Sequence, residues 1–207
     1  MVTYSLDKAV WKTYGYWAFW VGVIFFSIYP TCNWLTSKRS HPLALYIDPE
    51  LNIPFVPEFL WLYFSMYFLF LAPPFFLDVI RLKVLGKQLV VGTILSGITF
   101  IILPTNLGFG RAAPDNSFYG SLFSILFAID LPHNMVPSLH VVFSALILLL
   151  LADTSQKAMV KFFWWIWLTL ICASTLFVHQ HHILDVIAAL GLASFCRFWI
   201  QKGEIHV

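Results

Sequence analysis

The chain has 207 residues, a net charge of +2, 60% hydrophobic residues and only 11% charged ones, with a mean hydropathy of +0.81. Soluble domains run at about 45–50% apolar and about 25% charged, so polar groups are too few here to cover a water-facing surface, and the solvent for most of the chain is a bilayer. The small charge excludes the basic footprint of a nucleic-acid binder, and the length suits one domain.

Cys32, Cys172 and Cys196 are an odd number without paired spacing, which argues against a disulfide framework. Taken in chain order, the apolar runs predict an all-α polytopic membrane protein of six transmembrane helices, since about 20 residues cross ~30 Å of hydrocarbon. The first run, Tyr14 to Tyr29, is followed by PTCNW and not by a small-residue cleavage site, so it is expected to stay as a span and not to be removed as a signal. Residues 37–59 carry four prolines and predict an extracytoplasmic loop lying on the membrane surface. Second and third spans are expected over Phe59 to Leu77 and Leu89 to Leu103. SFYGSLFSILFAID at 117–130 is apolar but only about a dozen residues long, which favours an interfacial or re-entrant helix over a span. Pro137 to Leu151, Phe162 to Phe177 and Ile183 to Ile200 complete the six, with WWIW at 164–167 suited to an interfacial aromatic belt.

With the N-terminus cytoplasmic, the inner side holds Lys8, Lys12, Arg81, Lys83, Lys87, Lys157, Lys161, Arg197 and Lys202, against Lys38, Arg39 and Arg111 outside. That bias is the one the positive-inside rule expects, with both termini cytoplasmic. The starts of the fourth and sixth spans then share the outer face, and each carries an unusual sequence. The fourth opens PHNMVPSLHVV, with Pro137 placed for the first helical turn. The sixth is preceded by STLFVHQHHILD, three histidines and an aspartate at the edge of a span, where ionisable groups are costly and imply function.

His181 and Asp185 are four apart and predict a shared helix face. The carboxylate would fix the tautomer of His181 and leave its other ring nitrogen free as a nucleophile. Unpaired N–H groups at the start of the fourth helix, with the Ser138 hydroxyl, form an anion site that suits a phosphate. His140, one turn in, would supply the proton that a departing alkoxide needs. The chemistry predicted is phosphoryl transfer through a phosphohistidine on His181, without a metal or cofactor.

These residues resemble the second and third signatures of the type 2 phosphatidic acid phosphatase superfamily, PSGH and S-R-x5-H-x3-D, as PSLH and S-T-x5-H-x3-D. The resemblance covers roughly residues 55 to 200. It implies a lipid phosphate substrate, with the nucleophile on His181, the orienting carboxylate on Asp185, the general acid on His140, and phosphate-binding serines on Ser138 and Ser174. The first signature, K-x6-RP, is absent in that form, and Arg111 in LPTNLGFGRAAP is its nearest equivalent. Thr175 stands where the third signature has arginine, and Leu139 replaces glycine. A site with fewer guanidinium groups binds a dianion less tightly, unless a protonated His179 compensates. The substitutions are closest to the inositol phosphorylceramide synthase branch, which moves a phospho-headgroup between lipids, so water and a lipid hydroxyl are both expected acceptors.

Blander roles stand beside these: a plain helix cap for Ser138, packing for Ser174, lipid anchoring for Arg111, and interfacial positions for His179 and His182. A zinc site built on HQHH lacks HExxH, a second carboxylate and a cysteine ligand. A proton-coupled transporter should show internal symmetry and polar residues at depth, and the sequence has neither. The particular lipid and the oligomeric state are not encoded in any motif.

Overall fold

The computed structural model describes residues 7–111, 113–115 and 117–204; the side chains of Ser117 and of residues 202–204, Lys202 among them, lie outside that description. The helices are α1 Lys8–Thr36, α2 Leu60–Leu69, α3 Pro73–Phe76, α4 Val79–Ile102, α5 Ser117–Ile129, α6 Leu139–Thr154, α7 Ala158–Phe177 and α8 Ile183–Glu204, with short 3-10 turns at Asp48–Asn52 and Pro57–Phe59. Among the described residues the β structure is an isolated bridge between Leu43 and Thr105.

Asp7 and Asp78 start the two longest helices. Their carboxylates accept from the Ala9 N–H and the Arg81 N–H, each at 2.8 Å, which satisfies donors that a helix start leaves unpaired. α1 and α4 then pack side by side in the same direction. A Cβ on Gly86 would meet the Trp17 ring at 2.2 Å, and one on Gly97 would meet Ile28 Cγ2 at 2.4 Å. Small residues let the two backbones approach closely, as helices in lipid require.

α1, α4, α7 and residues Ile183–Gln201 of α8 are each long and apolar enough to cross a membrane. The expected second span is not one helix. α2 ends at Leu69, the chain turns, and α3 restarts at Pro73. Pro73 and Pro74 carry no N–H to continue the ladder and crowd the residue before them. α1 extends past Tyr14–Tyr29 at both ends, and α4 begins at Val79, ten residues before the expected Leu89. Residues 117–129 form the expected short helix.

α6 is the centre of the fold, with every residue from Leu139 to Leu148 buried. A helix that is apolar on every side needs neighbours on every side, and α2, α4, α7 and α8 supply them. At one end of the bundle the loops are tied together: the Leu43 N–H donates to the Pro104 carbonyl at 2.7 Å, the Val56 N–H to that of Phe177 at 2.9 Å, and the Ser138 N–H to that of Asp185 at 3.2 Å. Lys8, Lys12, Arg81, Lys83 and Lys157 lie at helix starts at the other end, where Arg197 pairs with Asp153. These features define an all-helical integral membrane protein.

Candidate active site

The turn between α7 and α8 places the histidines. His179 has φ +54°, its N–H donates to the Leu176 carbonyl at 3.0 Å, and the Gln180 N–H donates to that of Thr175 at 3.0 Å. This is the Schellman pattern, with histidine in the left-handed position that glycine usually takes. The same Thr175 carbonyl accepts from the His181 N–H at 3.1 Å. Part of the HQHH run therefore ends a helix and aims the next residue.

His181 does not share a helix face with Asp185, because α8 begins only at Ile183. The contact is made across the helix start. Asp185 Oδ2 accepts from the His182 N–H at 2.8 Å and lies 3.2 Å from His181 Nδ1. With Asp185 buried, at 1% exposure, the bond fixes the proton on Nδ1 and leaves Nε2 as a lone pair.

Across from it stands the start of α6. Pro137 is outside the helix and not in its first turn, since Ser138 is the N-cap and its side chain accepts from the Val141 N–H at 3.4 Å. The Ser138 N–H is bound to the Asp185 carbonyl, which joins the two motifs directly. His140 Nε2 lies 2.7 Å from the Tyr63 carbonyl, which can only accept, so Nε2 carries the hydrogen. Its ring stacks on Tyr63 with centroids 3.9 Å apart, and Tyr67 stands edge-on.

Ser138, His140, His181 and Asp185 thus come together. Arg111 reaches the neighbouring residue: Nη2 donates to Gln180 Oε1 at 3.1 Å, Nη1 to the Asp130 carbonyl, and the guanidinium lies over Phe127. Burial lowers its pKa and the Asp130 carboxylate opposes that first, so it stays a cation. Its Nε is buried without a hydrogen bond. Ser174 is fully buried and its hydroxyl donates to the Ile171 carbonyl within α7.

His179 and His182 belong to a ring stack. Phe109 lies between them, with centroids 4.0 Å from His179 and 4.5 Å from His182, and Tyr46 covers the other side of His182 at 4.6 Å. His179 Nε2 donates to the Ile53 carbonyl at 2.9 Å. His182 Nε2 accepts from the Gly108 N–H at 3.0 Å, and its Nδ1 faces Glu50 Oε2 at 3.4 Å. Burial lowers the pKa of both; for His182 the Asp185 and Glu50 carboxylates oppose it. A protonated His179 that compensates for missing arginines does not fit these surroundings.

Glu50 was not foreseen from the sequence. It is buried, and it accepts from the Ile47 N–H at 3.0 Å and from the Ile183 N–H at 2.7 Å, so a loop carboxylate caps α8. Its only mark was a second acid, two residues after Asp48, in IDPELNIP. Asp130 was also unforeseen: it accepts from the Tyr29 hydroxyl and, with His140 and His181, lines the polar end of a cavity of about 730 Å³. Phe25, Tyr67, Phe70, Leu89 and Phe143 form its walls, and Tyr14, Trp17, Pro73 and Gly86 its far end. Among the described residues no group of three or more His, Cys, Asp or Glu is placed to share a metal ion.

No protein-family model matches the chain, and no curated protein matches it in sequence.

Proposed function

We propose that the protein is a membrane lipid phosphatase of six spans that cleaves a lipid phosphate ester or pyrophosphate through a phosphohistidine. α2 with α3, and α6, would serve as the second and fourth spans, and α5 would lie at the outer interface. The basic residues at the opposite helix ends favour cytoplasmic termini and an extracytoplasmic site. The observation that carries the reading is the 3.2 Å contact of His181 Nδ1 with Asp185, made where His140 faces the same cavity.

In the first step His181 Nε2 attacks phosphorus as the bond to the lipid oxygen breaks. That oxygen takes a proton from His140. Because His140 Nε2 is held by the Tyr63 carbonyl, the proton that moves is on Nδ1, taken up from the phosphate monoanion as it binds so that His140 enters the step as an imidazolium, and the Tyr63 carbonyl orients His140 as Asp185 orients His181. In the second step Nδ1 takes a proton from the incoming hydroxyl, which bonds to phosphorus as the P–N bond breaks. Backbone donors at the start of α6, with Arg111 at the rim, would offset the charge on the phosphoryl oxygens.

Burial favours a second reading, transfer of the phospho-headgroup to a lipid hydroxyl in place of water. His140 and His181 are 7% and 6% exposed and face an apolar chamber, where a lipid acceptor is at high local concentration. The test is phosphate release by the detergent-purified protein in EDTA from phosphatidic acid, isoprenyl pyrophosphate and phosphatidylinositol, with and without ceramide or diacylglycerol. Release that disappears in His181→Ala identifies a phosphatase; a new headgroup-bearing lipid in place of free phosphate identifies a transferase. Turnover that survives His181→Ala, or none on any substrate, refutes the reading.

A further inference from the structure

The site opens into a chamber far deeper than a phosphate needs. Its lining follows α1 from Pro30, beside the Tyr29–Asp130 contact, to Tyr14; at 1.5 Å per residue that is about 24 Å. The far end is closed, with the Tyr14 hydroxyl donating to the Phe70 carbonyl at 2.8 Å and the Trp17 indole seated against Gly86. The acid, amide and imidazole side chains of the lining, Asp130, Asn134, His140 and His181, lie together at the opposite end.

The chamber also has a side opening. Four of its large apolar lining residues are largely exposed, Phe26 at 72%, Tyr67 at 56%, Ile125 at 57% and Ile129 at 76%. They come from α1, α2 and α5, and α1 packs along α4 in preference to α2. The gap between α1 and α2, beneath α5, therefore faces the surroundings of the bundle with apolar side chains.

We propose that this chamber is the binding site for the hydrocarbon tail of the phosphorylated lipid, admitted between α1 and α2, and that its closed end sets the length of tail accepted. The phosphate identity of the headgroup rests on the function proposed above; the tail site rests on the chamber itself. An extended chain advances about 1.2 Å per bond, so the depth holds about twenty bonds. Long saturated or isoprenoid chains fit this length, while a much longer tail must fold back or leave through the gap.

Gly22 supplies the test. It lines the chamber roughly halfway along α1, and a Cβ built there meets nothing within 4 Å, so a side chain can be added without displacing the fold. Turnover of single-chain alkyl phosphates from about 8 to about 24 carbons is measured for the wild type and for Gly22→Leu and Gly22→Trp. The wild-type optimum should lie near twenty carbons. Gly22→Trp should move it to about ten and lower kcat/KM for the twenty-carbon substrate at least about tenfold relative to the ten-carbon one, with the leucine variant intermediate. Identical profiles in all three proteins overturn the proposal.

A second arm does not depend on turnover. In His181→Ala, a long alkyl phosphate with a photoreactive group at its tail end should crosslink near Tyr14 and Trp17, and to residues nearer the site in the double variant with Gly22→Trp. Crosslinks confined to outward-facing residues such as Phe19 overturn the tail site. If the phosphates are not hydrolysed but the floor residues are labelled, the tail site stands and the phosphatase reading falls.

Discussion

His181 and His140 are each held through one ring nitrogen, by the Asp185 carboxylate and by the Tyr63 carbonyl. The two acceptors differ in charge, and this divides the roles. In the proposed reaction a carboxylate would stabilise positive charge on the ring that takes the phosphoryl group, while a carbonyl would only point its ring. Asp185→Asn tests the division. Both contacts are made by one oxygen, Oδ2, so the amide oxygen of asparagine can keep both bonds while the charge is lost. We expect kcat to fall by about 10²–10³, the order of losing one electrostatic stabiliser, with tail crosslinking unchanged; turnover within a few-fold of wild type would refute the charge argument. The pairing of PSLH with HxxxD was legible because each motif is local and lies at a predicted helix start. The shared-face argument for His181 and Asp185 was not sound in detail, since HQHH contains a helix terminator and its left-handed residue, His179, is not the glycine that marks such ends. Glu50 was illegible because its partner, Ile183, lies 133 positions away.

At the scale of elements, the start of α8 depends on that distant carboxylate. Removing it leaves the part-buried Ile47 and Ile183 N–H groups without that acceptor, at about 0.5–2 kcal/mol, the usual cost of a lost helix cap. Glu50→Ala should lower unfolding stability by that order and speed amide exchange at Ile183, and Glu50→Gln, which keeps one acceptor oxygen, should lose less. Unchanged exchange at Ile183 in the alanine variant would show that the cap is not needed. The long apolar helices were legible from run length alone. The break between α2 and α3 was also written in the chain, as Pro73–Pro74, but hydropathy counts apolar residues and ignores whether they can donate a hydrogen bond.

For the whole molecule, acid is the expected weak point. His133, His179 and His182 lie outside the helices, and each has its pKa lowered from 6.5, first by burial. An imidazole with a lowered folded pKa binds its proton more readily in the unfolded chain. Stability is therefore complete above about 6.5 and is lost as pH falls toward the lowered folded values. The melting temperature in detergent should drop over that interval. His179→Phe, which keeps a ring against Phe109 and cannot take up a proton, should make the slope shallower; a melting temperature that is flat or rises on acidification would contradict this account.

The encasement of α6 has a consequence for how the protein responds to its membrane. Its 16 residues extend about 24 Å, less than a ~30 Å hydrocarbon layer, and from Leu139 to Leu148 they touch protein on all sides. Mismatch between helix length and bilayer thickness acts on the surfaces that lipid wets. Here those are the outward faces of α1, α7 and α8, which can tilt or be stretched as the bilayer thickens. Ser138 and His140 ride on a strut that lipid does not grip, so membranes of different thickness strain the outer wall of the protein before they reach the residues at its centre.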